Sequence, residues 1–158
     1  MLISIAVNQA NQAKIVRLNI SDLPELLALE RQCFAYPWGK EQLWLALEQQ
    51  MFYVFGLKDI SRLLAYISYY HMYEEMEILN IAVRPEYRQQ GLGRRLLRLV
   101  LRIGRKMGIQ RVILEVQSSN VAARTLYARF GFTQVSLRKG YYQDNGDDAL
   151  ILAMLLTD

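Results

Sequence analysis

Arg88-Gln89-Gln90-Gly91-Leu92-Gly93 joins an apolar strand pattern to an apolar helix pattern. The strand runs from Glu77 to Val83 and is closed by Arg84-Pro85; the helix runs from about Leu92 to Met107. A glycine-containing loop that opens a helix presents unpaired backbone N–H groups at the positive end of the helix dipole. That arrangement seats a phosphate or diphosphate. Read alone, Gly91 and Gly93 are equally an ordinary tight turn. A dinucleotide fingerprint needs a third glycine where this chain has Leu96, and no Gly-Lys-Ser/Thr of a P-loop is present.

Glu115 lies inside the apolar run Val112-Ile113-Leu114-Glu115-Val116. Glutamate is disfavoured in strands, and an unpaired buried carboxylate is costly. It points to solvent at a strand end, pairs with one of the many arginines, or serves as a general base. Tyr127 shares a helix face with Ala123 and Phe130, so it is a packing aromatic or a phenol able to protonate a leaving group. Asn120 suits a helix N-cap, and the same side chain could reach a ligand. Trp38 and the pair Tyr141-Tyr142 are aromatics that either pack or line a substrate slot. His71 is the only histidine and is expected at a surface strand end, so no triad or metal cluster can be assembled around it.

Elements that place these groups follow from periodicity and punctuation. Lys14 to Leu18 alternates as a first strand. Asp22 and Glu25 predict a capping box with Pro24 in the first turn of a helix that ends near Cys33. An aromatic loop from Phe34 to Gly39 precedes a second helix, Lys40 to Gln50. Strands are expected at Phe52–Leu57, Leu63–Tyr70 and Met76–Val83. The helix after Gly91 carries Leu92, Leu96, Leu97, Val100 and Ile103 on one face, and Gly108 suits its C-terminal cap. Its cations, Arg94, Arg95, Arg98, Arg102, Arg105 and Lys106, read as a solvated face, with Arg94 nearest the anion seat. Asn120 opens a helix that Gly131 stops, and Val135–Tyr142 with Ala149–Leu156 predict a closing hairpin. The order is β-α-α-β-β-β-α-β-α-β-β, an α/β chain with a mixed sheet and helices on its faces.

The 158 residues suit one domain, spanning 1–158, and 53% hydrophobic with 22% charged residues indicates a globular chain. No apolar run reaches the roughly 18 residues of a membrane span. Met1 to Asn11 lacks signal-peptide features, and the single cysteine, Cys33, is expected in the core and excludes an internal disulfide. These points favour the cytoplasm, with no membrane partner. A net charge of +4 is compatible with a nucleic acid, a ribosomal surface or a phosphorylated ligand and does not choose among them.

The Arg/Gln-x-x-Gly-x-Gly loop after a long strand resembles that of the GNAT superfamily of acyl-CoA N-acyltransferases, over nearly the whole chain. Glu115-Val116, Asn120, Leu126-Tyr127 and Gly131-Phe132 are spaced as in its RimI-type branch, the ribosomal-protein alanine N-acetyltransferases. Tyr36-Pro37-Trp38, Arg138-Lys139-Gly140-Tyr141-Tyr142 and Asp147-Asp148-Ala149 are similar to that branch too. The resemblance implies the GNAT fold, a mixed, mostly antiparallel sheet flanked by helices, and acetyl-CoA as cosubstrate without a metal. By the same resemblance Ile81, Ala82 and Val83 meet the pantetheine arm through their backbone. Arg88, Gln89, Gln90, Gly91, Leu92, Gly93 and Arg94 hold the diphosphate, and Asn120 contacts the cofactor. Glu115 is then the base and Tyr127 the acid. Trp38, Tyr141 and Tyr142 wall a groove for a protein N-terminus, and no direct nucleic-acid recognition is expected.

The implied activity is acetyl transfer to an N-terminal α-amine, first of all the N-terminal alanine of a small-subunit ribosomal protein. An α-amine of pKa near 8 is about a tenth neutral at pH 7, far more than a lysine near 10.4, which suits a carboxylate base. The alternatives are a GNAT enzyme for a small amine or lysine side chain, and a basic ribosome- or RNA-binding module. Asp147 in place of the branch's usual Glu, Gly140 in place of Asn or Arg, and Gly39-Lys40 in place of Ser-Glu leave the peptide preference open.

Overall fold

The computed structural model describes residues 9–60 and 62–157. Seven strands, β1 (Lys14–Arg17), β2 (Tyr53–Lys58), β3 (Leu63–Met72), β4 (Glu75–Val83), β5 (Arg111–Gln117), β6 (Thr133–Arg138) and β7 (Ala149–Leu155), lie in the order β1-β2-β3-β4-β5-β7-β6. Four α-helices are named here: α1 (Leu23–Cys33), α2 (Lys40–Glu48), α3 (Leu92–Met107) and α4 (Val121–Phe130). From β1 onward the expected order of strands and α-helices is thus the observed one, with helical residues 9–12 before it and 3-10 turns at Ile20–Asp22 and Pro85–Tyr87 not foreseen, and α3 has the expected bounds. The reading of Met1 to Asn11 falls largely on residues outside those described. Among the described residues no helix is long and apolar enough to cross a membrane.

The chain forms two compact units, one of residues up to Tyr70 with Asn80–Val100, the other of His71–Leu79 with Leu101 onward. In the first, β1 pairs with β2 and β2 with β3, all antiparallel. β3 is buried continuously from Leu63 to Tyr69, which explains its unbroken apolar sequence. Leu26 and Leu29 of α1, Leu43 and Leu47 of α2, Val54 of β2 and Tyr66 of β3 form its core. Removing such leucines from water stabilises the fold by roughly 1.5–3 kcal/mol each.

In the second unit β4 and β5 pair in parallel over Glu75–Ile78 and Arg111–Leu114 only. β5 then pairs with β7 along its whole length, and β6 pairs with β7, both antiparallel. The C-terminal half of α3 lies so close to this unit's core that a Cβ on Gly104 would sit 3.0 Å from Leu156 Cδ1.

Two local expectations are corrected. The capping box forms three residues earlier than Asp22–Glu25. Asn19 Oδ1 accepts from Ser21 N at 2.9 Å and Asp22 Oδ2 accepts from Asn19 N at 2.9 Å. The other Asp22 oxygen meets Lys58 Nζ at 2.6 Å, and Glu25 accepts from the Leu63 amide of β3. Tertiary partners therefore claimed the carboxylates that a local pattern assigned to α1. Also, Tyr141 and Tyr142 lie outside the strand, because β6 ends at Arg138. Gly140 turns left-handed at φ 59°, and its amide donates to Asp148 Oδ1 at 2.8 Å.

Asn19→Ala should lower the unfolding free energy by about 1 kcal/mol. The check is a lower urea midpoint at unchanged slope. An unmoved midpoint would return the cap to Asp22.

Candidate active site

The loop before α3 is built from a strand end, a single helical turn and two left-handed residues. Pro85–Tyr87 form a short 3-10 turn after β4. Gln89 (φ 60°) and Gly91 (φ 81°) then take left-handed backbone. For a non-glycine residue such as Gln89 this costs roughly 1–2 kcal/mol. Alternation of left- and right-handed residues curls successive N–H groups into an anion-binding concavity. The amides of Leu92, Gly93 and Arg94 have no carbonyl one turn earlier, whereas Arg95 N already donates to Gly91 O at 3.0 Å. The first turn of α3 holds no acidic residue. A helix start with arginines and no acid is favourable once an anion sits there.

Side chains of this loop are mostly turned elsewhere. Arg88 Nε donates to Val83 O at 3.0 Å, and Gln90 Nε2 donates to Glu86 O at 3.3 Å. Arg95 donates to Ala10 O and Ala13 O at 3.0 and 2.7 Å. Arg94, by contrast, is exposed. The groups left to meet an anion here are therefore the backbone amides and Arg94. Along β4, Arg84 N donates to Leu64 O of β3 at 2.9 Å. Strand alternation then faces the Ala82 backbone toward β3 and the backbone groups of Ile81 and Val83 toward the opposite edge. Cys33 Sγ donates to Val83 O at 3.4 Å, and burial raises its pKa against the lowering influence of Arg88.

In the other unit, β5 alternates cleanly. Val112, Leu114 and Val116 are buried, while Ile113, Glu115 and Gln117 share the half-buried face. This resolves the misfit of Glu115 in an apolar run. Tyr142 OH donates to Glu115 Oε1 at 3.1 Å, and Arg138 Nη1 lies 3.7 Å from Oε2. Burial, reinforced by the Glu115 charge, pushes the Tyr142 phenol up to about 12. Tyr141 meets Tyr142 edge-on at 5.3 Å and carries the Arg138 guanidinium over its ring. The loop bearing both tyrosines is tied down by Asp147, which accepts from Ser118 Oγ at 3.3 Å and from Ser119 Oγ. Asp147, where this chain departs from the branch pattern, and Asp148, where it keeps the pattern's acid, thus hold the loop.

Tyr127 is 7% exposed and packs edge-on against Phe132. Burial pushes its phenol up to about 12, so it is a neutral O–H donor throughout the physiological range. Asn120 Oδ1 caps α4 by accepting from Ala123 N at 3.1 Å, leaving Nδ2 as its group for a ligand. Gly131 ends α4 at φ 97°.

Glu30 was not singled out in the sequence. It is 1% exposed, yet its Oε2 accepts from Trp38 N at 2.9 Å and its Oε1 accepts from Tyr66 OH and from Asn80 Nδ2 at 3.4 Å. Burial raises its pKa above the usual 4.5, although all three donors oppose the shift. Its signal was position. Leu26, Glu30 and Cys33 fall at i, i+4 and i+7, on the stripe that α1 turns inward.

The profile of the Acetyltransferase (GNAT) family matches residues 23–132, and the chain belongs to that family. Among individual proteins it is 34% identical over 142 residues to the [ribosomal protein bS18]-alanine N-acetyltransferase of Escherichia coli K12, covering 89% of this chain and 95% of the relative. It is 32% identical over 149 residues to a putative enzyme of the same description from Bacillus subtilis, covering 93% and 98%. The crystal structure of the Escherichia coli ribosomal-protein-S18-alanine N-acetyltransferase superposes with a TM-score of 0.85 at 32% identity, over 92% of this chain and 95% of the other. The family uses acetyl-CoA, and the mixed seven-stranded sheet with its helices is the GNAT fold.

Gly91→Ala meets no atom within 4 Å, so its effect is conformational alone. Strain of about 1–2 kcal/mol should weaken coenzyme A binding roughly tenfold by calorimetry. An unchanged Kd would separate this turn from the ligand. Glu30 generates a second expectation. A carboxyl protonated more easily in the folded than in the unfolded chain stabilises the fold in its protonated form. That contribution is complete below 4.5, the ordinary value, and fades as pH rises through the folded-state pKa. The stability of the parent relative to Glu30→Gln should therefore fall as pH is raised from acid toward neutrality. A difference that grows with pH would contradict it.

Proposed function

We propose that this chain transfers acetyl from acetyl-CoA to a protein N-terminal α-amine, the acceptor being the N-terminal alanine of ribosomal protein bS18. The observation that carries the reading is the near full-length, mutual match to relatives described by that activity. The geometry of the two candidate half-sites supports it. Backbone amides of the α3 start, with Arg94, take the diphosphate, and the outward backbone groups of Ile81 with the Val83 N–H take the pantetheine arm. Asn120 contacts the cofactor through Nδ2.

Glu115 accepts a proton from the incoming ammonium, directly or through one water. The freed amine attacks the thioester carbonyl, the C–S bond breaks as the tetrahedral species collapses, and nitrogen gives its second proton to water, from which the phenolate left at Tyr127 is reprotonated. Tyr127 supplies a proton to the departing thiolate. A phenol near 12 is a reservoir that never empties at working pH, which matches a donor better than a base. Tyr142 and Arg138 orient the Glu115 carboxylate, and Trp38, Tyr141 and Tyr142 wall the acceptor slot. An α-amine near pKa 8 asks less of a carboxylate base than a lysine near 10.4. The protein acts in the cytoplasm, where ribosomal proteins are made.

Incubation with acetyl-CoA and a peptide bearing the bS18 N-terminus should yield one acetyl group on the α-amine by mass spectrometry. The N-terminally blocked peptide containing lysine should stay unmodified. Acetylation of the blocked peptide alone would replace this reading with a lysine acetyltransferase. Tyr127→Phe should lower kcat by about 100-fold with little change in acetyl-CoA KM. For Glu115→Gln, the loss should shrink as pH rises and more acceptor arrives neutral; a loss flat with pH would make Glu115 a structural residue.

A further inference from the structure

Two carboxylates are buried among the described residues, Asp22 and Glu30. Asp22 has the ammonium of Lys58 at 2.6 Å. Glu30 is met instead by neutral donors, the Trp38 amide, the Tyr66 hydroxyl and the Asn80 carboxamide. Asn80 Nδ2 also reaches Tyr66 OH at 3.2 Å, closing the cluster. Burying a carboxylate against neutral donors costs several kcal/mol, and an apolar side chain at the same place in α1 would pack without that cost. Fold stability does not explain the residue.

What the cluster joins does explain it. Trp38 belongs to the loop between α1 and α2, whose ends are fixed by Phe34 N on Glu30 O at 3.0 Å and by Gly39 N on Gln42 Oε1 at 2.8 Å. Between those ends, Trp38 N on Glu30 Oε2 ties the loop to the core. The indole then packs at 5.5 Å on Phe52. Asn80 lies one residue before Ile81 on β4, the strand edge assigned to the pantetheine arm. A single carboxylate thus registers the Trp38 loop against β3 and β4.

We infer that Glu30 is a positioning residue for the acceptor: by tying the Trp38 amide to Tyr66 and Asn80, it fixes the indole that walls the peptide slot. The inference rests on Trp38 being an acceptor wall, as stated under the proposed function. Three measurements separate the two. In a Trp44→Phe background Trp38 is the only tryptophan, since the chain holds two. Glu30→Gln and, separately, Tyr66→Phe, which deletes one hydroxyl, should each shift Trp38 emission to the red and increase acrylamide quenching. Both should raise KM for an alanine-starting peptide about tenfold while leaving kcat and acetyl-CoA KM within about twofold, the pattern of lost acceptor binding. In a Trp38→Ala background Glu30→Gln should add little, because coupled residues are not additive. Unchanged emission and quenching in both variants, or full additivity with Trp38→Ala, overturns the assignment of Glu30. Failure of the parent enzyme to acetylate any α-amine peptide, with quenching still increased, overturns the acceptor reading and leaves the anchoring of Trp38 standing.

Discussion

The amides of Leu92, Gly93 and Arg94 begin a helix with no carbonyl beneath them, and the design of the first unit follows from that shortage. An acid in the first turn would have answered the helix dipole from within the chain; none is present, and Arg94 and Arg95 stand there instead. Gln89 holds left-handed backbone that costs free energy, whereas Gly91 takes it freely; the proposed diphosphate would offset the cost at Gln89. Arg88 and Gln90 donate to the nearby Val83 and Glu86 carbonyls and Arg95 to those of Ala10 and Ala13, which stiffens the concavity without filling it. The cation-rich face of α3 is a solvated surface apart from Arg95, whose guanidinium meets the Ala10 and Ala13 carbonyls.

Chemistry in the second unit rests on strand alternation. β5 buries Val112, Leu114 and Val116 and so must turn Glu115 to the other face, where Tyr142 and Arg138 meet its two oxygens. A carboxylate with a phenol on one oxygen and a guanidinium near the other is oriented and still half-exposed. Tyr127, one element later, is buried, and burial makes it keep its proton. Residue type and environment thus both separate the proposed proton acceptor from the proposed proton donor.

Periodicity and punctuation made α3 legible to the residue, because Gly91, Gly108 and an uninterrupted apolar stripe bound it. The strands were legible to within about two residues except β6, which ends four residues before the expected Tyr142. Misreadings arose where a tertiary partner outbid a local one. Asp22 and Glu25 fit a capping box in sequence, yet Lys58 and the Leu63 amide hold them. Tyr141 and Tyr142 read as strand because they are aromatic, while Gly140 and Asp148 had already turned the chain. Glu30 was missed since a charged residue on an amphipathic helix reads as solvent-facing until its neighbours at i−4 and i+3 are placed. Asn120 carried two readings, and its carbonyl oxygen serves as the cap. Among the described residues, the Glu115 surroundings needed coordinates, because Arg138 and Tyr142 are remote from it in sequence.

The most direct test of the account is a crystal structure with acetyl-CoA bound. The diphosphate should lie within hydrogen-bond distance of the Leu92, Gly93 and Arg94 amides, in the curl formed by Gln89 and Gly91. A diphosphate held only by guanidinium side chains, or bound away from the start of α3, would contradict it.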